Sequence, residues 1–152
     1  MAINFDAADA IGTIKAVLES GNSIEIPATG YSMFPTLHPG DRVIVKPLTK
    51  GELPEPGSVV VYTDGKRLVM HRLIEISQKE GELKFITRGD SQGMIDNPWT
   101  QNQLLGVAYS YIKNRKEHHI RSFLPMPGFY RINRRILWLL CRIRRVIEKF
   151  TI

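Results

Sequence analysis

Hydrophobic positions change their period twice along this chain. Over residues 7 to 20, Ala10, Ile11, Ile14, Val17 and Leu18 recur at helical spacings, and Ser20, Gly21 and Asn22 then supply stop and turn residues. That pattern predicts one short amphipathic helix. From Ile24 to about Ile120 the pattern becomes short β-branched runs punctuated by Gly, Pro and Asp: IEIP, RVIVKP, SVVVYT, RLVMHRLIEI, LKFIT, LLGVAYSYI and EHHIRS. Such runs predict a compact, mainly β core. Between SVVVYT and RLVMHRLIEI lie Asp64, Gly65 and Lys66, a turn that tolerates positive φ and so predicts a hairpin with His71 on its second strand. The prolines of LPMPG (124–128) break regular structure and predict a hinge. Beyond it Phe129, Ile132, Ile136, Leu140, Ile143, Ile147 and Phe150 return to intervals of three and four. The expected organisation is an N-terminal helix over 1–22, a β domain over 23–123 and a basic amphipathic helix over 124–152.

Composition alters this picture mainly through charge. With 43% hydrophobic and 24% charged residues in 152, the chain suits one ordinary folded domain. Its net charge of +6 suggests nucleic acid until it is divided along the chain. Residues 128–152 hold seven Lys and Arg against Glu148, so the tail carries the whole excess and the rest is neutral. No nucleic-acid partner is therefore expected. The tail suits two arrangements that the pattern does not separate: a helix in the headgroup plane of an anionic membrane, with Trp138 as an interfacial side chain, or a helix packed on the core or on a second copy. Cys141 is the sole cysteine, so no intrachain disulfide forms and a reducing compartment is the default. The N-terminus is acidic and has no continuous apolar run, and the longest such run, Ile136 to Cys141, has six residues where a span needs about 20. A cytoplasmic chain, peripheral at the inner membrane face, is the expectation. His118 and His119 alternate across a strand and make no metal pair, so neither metal nor cofactor is assigned.

Candidate chemistry centres on Ser32, in a Gly- and Pro-bounded loop between strands that would expose it and hold it rigidly. By residue type alone, such a hydroxyl more often serves nearby backbone, and no glycine at 34 completes a G-x-S-x-G elbow. His71 reads either as a sheet residue satisfied by a carboxylate or as a base, since an imidazole, with an ordinary pKa of about 6.5, suits neutral pH. Asp90 and Asp96 either cap turns or orient that imidazole.

Three boxes in order narrow these alternatives. GYSMFPTLHPGDRVIV resembles the nucleophile box of the signal peptidase I family, G-x-S-M-x-P-T-L-x-x-G-D-x-V. PGSVVVY followed by VMHRLIEI resembles its second box, with His-Arg at the base position. RGDSQGMID followed by LLGVAY resembles its third. The resemblance runs over residues 27–112 and implies a β-barrel core shared with self-cleaving repressors. It further implies a serine endopeptidase that trims a leader or precursor peptide. Ser32 becomes the expected nucleophile and His71 the base, as in the endoplasmic-reticulum and archaeal branch. Asp96 is the expected orienting acid, with Asp90 next in line as the box's structural partner. Gly30, Met33 and Pro35, flanking the serine, are expected at the oxyanion and substrate positions, beside the Ser32 backbone N–H. Two departures stand out. Gly30 occupies the place where anchored members carry a hydroxyl, leaving Thr29 as the nearest substitute, and neither the N-terminal anchor nor the repressors' DNA-binding domain has a counterpart. They support an alternative: a non-catalytic peptide-binding or regulatory module of the same fold.

Overall fold

A computed structural model describes the backbone of residues 7–79 and 81–150, with side chains over 9–79 and 81–145. Helix α1 spans Ala7–Glu19. Eight strands follow: β1 Ile24–Pro27, β2 Arg42–Lys46, β3 Val59–Thr63, β4 Leu68–Lys79, β5 Glu82–Arg88, β6 Trp99–Thr100, β7 Leu104–Lys113 and β8 Lys116–His119. Helix α2, Pro127–Phe150, closes the chain. Each predicted apolar run is a strand, and the 3-10 turn at Gln101–Gln103 and the two-residue β6 are additions. The side chains of Ile147 and Phe150, expected on the apolar stripe of the tail, lie outside the described residues.

All pairings are antiparallel, in the order β1-β2-β7-β3-β4-β5-β6, with β8 on β7. The sheet curls into a half-barrel in which β1 and β6 are the ends of the order, the form that the expected mainly β barrel core takes here. Strand β3 is buried at four successive positions because it lies between two cores. Val59 and Val61 join Leu18 of α1, Met33, Leu37 and Val43 on one side. Val60 and Tyr62 join Leu73, Phe85 and Trp99 on the other. This explains why SVVVYT reads as a continuous apolar run rather than an alternating one.

The predicted hairpin forms, with Gly65 at φ 90° in its turn and His71 paired with Val60. Past that pair the β4–β5 register shifts between Leu73 and Glu75. Ile74 is thus the extra residue of a bulge, and bulges next to a site re-aim its side chains.

Candidate functional site

Successive side chains on β4 leave opposite faces, so His71 and Arg72 serve different partners. His71, 6% exposed, places Nδ1 2.6 Å from Asp96 Oδ2. A carboxylate accepts at that distance, so Nδ1 carries a proton and Nε2 is the ring nitrogen that Asp96 leaves unengaged. The same carboxylate oxygen takes the Thr87 hydroxyl at 2.7 Å and the Tyr62 hydroxyl at 3.3 Å. Thr87 in turn accepts from the Trp99 indole N–H at 3.1 Å, and Asp96 N–H donates to Thr87 O at 2.8 Å. Trp99 is held between Tyr62 and Phe85, stacked at centroid distances of 4.3 and 4.6 Å. β6 therefore matters despite its length: its pairing with Phe85 sets the indole that holds the threonine that holds the acid. Burial works to raise the Asp96 carboxyl, but the His71 hydrogen bond and charge, with the Thr87 and Tyr62 hydroxyls, outweigh it and hold the carboxyl below the usual aspartate range. Tyr62 is pushed up to about 12, chiefly by burial, so its phenol stays a donor.

Arg72 has no exposed surface and forks onto Asp90, Nε to Oδ1 at 2.8 Å and Nη2 to Oδ2 at 2.7 Å. Nη1 donates to Gly57 O at 2.7 Å, Nη2 reaches the Thr36 hydroxyl at 3.2 Å, and that hydroxyl donates to Asp90. The guanidinium also lies 4.2 Å over the Phe123 ring. Asp90 is thus fully engaged on the other side of β4 from His71 and ties Thr36, in the serine loop, to the sheet.

A second tie joins that loop to the third box. Ser32 O accepts from Ser91 N–H at 2.9 Å and from Ser91 Oγ at 3.1 Å, while the same hydroxyl lies 2.7 Å from Tyr31 O. Gly89 is needed for this approach: a Cβ there would sit 2.7 Å from Ser32 O, a backbone atom with no room to yield. The loop is further folded by Phe34 N–H to Tyr31 O and Leu37 N–H to Met33 O.

Ser32, His71 and Asp96 line one cleft of about 850 Å³, together with Thr29 and Gly30. Met94 and Ile95, both exposed, form part of its apolar rim. The Ser32 hydroxyl is half-buried and makes no hydrogen bond to His71 among the described residues. Met33 is buried in the core with its side chain among Leu37 and Val43, so it seats the serine loop from below as well as lining the cleft. Pro35 is exposed and lies outside the cleft lining. Reading by boxes left Arg72, Thr36, Tyr62, Thr87 and Trp99 without roles. Arg72, Thr36 and Tyr62 stood inside quoted boxes, whereas Thr87 and Trp99 carry no local signal of the chain of hydrogen bonds from indole to threonine to Asp96.

No family model matches the chain. It is 26% identical over 80 residues to signal peptidase I W of Bacillus subtilis (strain 168), a similarity covering 52% of this chain and 42% of that protein. The chain thus spans less than half of that relative, and the similarity is to a peptidase of the kind the three boxes resemble.

Proposed function

We propose that the chain is a serine endopeptidase of signal peptidase I type, in which Ser32 attacks and His71, oriented by Asp96, takes the proton. One observation carries this reading: His71 Nδ1 meets Asp96 at 2.6 Å inside the cleft that Ser32 also lines, which leaves Nε2 free to accept. Ser32 Oγ adds to the scissile carbonyl carbon as its proton passes to Nε2, and the Asp96 carboxylate stabilises the imidazolium that results. The oxyanion develops beside the Ser32 backbone N–H. Collapse of the adduct returns the proton from Nε2 to the departing amine and leaves an acyl-serine, which water hydrolyses with His71 again as base. Strand β1 ends the sheet order and its Ile26 and Pro27 line the cleft, so its outer edge is where an extended peptide would lie.

A peptide-binding module without catalysis is favoured by one feature, the missing hydrogen bond between Ser32 and His71. Uncomplexed catalytic geometry is often looser than the reactive one, so this feature weighs less than the assembled His71–Asp96 pair. The test is cleavage of leader peptides with small residues beside the bond. Ser32→Ala and His71→Ala are each expected to lower kcat/KM by about a thousandfold or more with the circular dichroism spectrum unchanged. Turnover that survives in Ser32→Ala removes the nucleophile assignment, and peptides bound but never cleaved by the native chain establish the binding module instead.

A further inference from the structure

Helix α2 presents three different faces. Tyr130 and Asn133 are buried against the β domain, with Leu137 and Cys141 half-covered further along the same side. Asn133 Nδ2 donates to Asp90 O at 3.0 Å, and the Arg88 guanidinium lies 3.7 Å over the Tyr130 ring. Ile132, Ile136, Leu139, Leu140 and Ile143 form a second face, and every one is exposed, from 43% to 58%. Their spacings of four, three, one and three place them on one side of a helix of 3.6 residues per turn. Arg131, Arg135, Arg142 and Arg145 are exposed around the remainder. Trp138, two residues past Ile136 and so roughly 200° round the helix, lies off the apolar stripe with the Arg142 guanidinium 5.2 Å above its ring. It is an element of the cationic face rather than of the stripe.

We propose that α2 is an interfacial helix that docks the protein on an anionic lipid bilayer, its isoleucine and leucine stripe entering the acyl boundary and its arginines meeting lipid phosphates. Charge complementarity selects this occupant. Between Pro127 and Arg145 the helix has no acidic residue, so a second copy laid stripe to stripe would set arginine flank against arginine flank. Nucleic acid would answer the arginines yet leave five large apolar side chains in water. An anionic bilayer satisfies both faces along the whole helix. No helix among the described residues is long and apolar enough to cross a membrane, which agrees with a helix lying in the interface plane.

The test is flotation of the full chain with vesicles of equimolar phosphatidylglycerol and phosphatidylcholine and, separately, of phosphatidylcholine alone. The chain is expected to float with the anionic vesicles, to remain behind with the neutral ones, and to be released as salt rises. Ile136→Ser and Leu140→Ser are each expected to weaken binding at least about tenfold, as loss of a buried aliphatic side chain requires. Both side chains are exposed in the unbound protein, so the thermal unfolding transition should not move. Arg135→Gln is expected to weaken binding at low salt without touching the stripe. A full chain that ignores anionic vesicles overturns the proposal, as does equal binding to neutral ones. So does a concentration-dependent dimer that Ile136→Ser dissociates while vesicle binding is unchanged, an outcome that assigns the stripe to a second copy.

Discussion

Asp90 has no exposed surface and both its carboxylate oxygens are taken up by Arg72, whereas Asp96 keeps a fifth of its side chain exposed and meets His71. The first arrangement suits cohesion and the second suits chemistry. Removing one member of a fully buried pair leaves the other charge uncompensated, so Arg72→Met is expected to destabilise the fold by about 3–5 kcal/mol in urea titration. The double variant Arg72→Met with Asp90→Leu should recover much of that loss, because no charge is then stranded. Asp96→Asn is expected to lower kcat by about a thousandfold or more, since an amide no longer fixes the Nδ1–H tautomer, with a loss of stability at neutral pH smaller than that of Arg72→Met. If Asp90→Asn instead removed activity without loss of stability, the two roles would be exchanged. Sequence boxes located both acids within six positions of each other, but could not divide the work: that depends on which face of β4 each one meets, and on a register shift at Ile74 that leaves no mark in the order of residue types.

At the scale of elements, the runs that form β1 to β5 and β7 were readable because each is a strand with buried positions, and β-branched side chains suit that environment, whereas β8 is exposed throughout. β6 was not readable, since two residues show no alternation, and its place follows from Trp99 stacking on Tyr62 and Phe85 across the sheet. α2 was readable as a helix by its period, but its docking rests on single contacts. Asn133 bonds the Asp90 carbonyl, and the Arg134 side chain passes so close to Gly93 that a Cβ there would lie 2.3 Å from it. The helix therefore braces the 88–96 loop that carries the acid. Asn133→Ala removes the hydrogen bond and strands a buried carbonyl, at a cost of about 1–3 kcal/mol. Amide hydrogen exchange over residues 88–96 should quicken in this variant while β2 and β7 stay protected. Unchanged exchange across that loop would mean that α2 rests on the domain without bracing it.

Across the whole molecule, charge is divided between a basic tail and a remainder that sums to zero, and that division was plain from residue order alone. The strand order was not: β7 pairs between β2 and β3, and no local pattern specifies which distant strands meet. The pH dependence of stability draws on this tertiary arrangement, because the Asp96 carboxyl owes its lowered pKa to His71, Thr87 and Tyr62, three groups brought from three different strands against the opposing effect of burial. A carboxyl that ionises more readily when folded stabilises the native state fully at pH well above about 4, where an unfolded aspartate has lost its proton too. As pH falls through the lower folded value both states become protonated and the contribution disappears. Urea unfolding of the native chain and of Asp96→Asn should therefore differ most well above about pH 4 and converge as pH falls through the lowered folded value. Other carboxyls titrate in the same window, but they are common to both proteins and cancel in the difference between the two midpoints. A gap that stays constant across the window would show that Asp96 gains nothing from its three partners on folding, and the account of how the acid is held at His71 would fall with it.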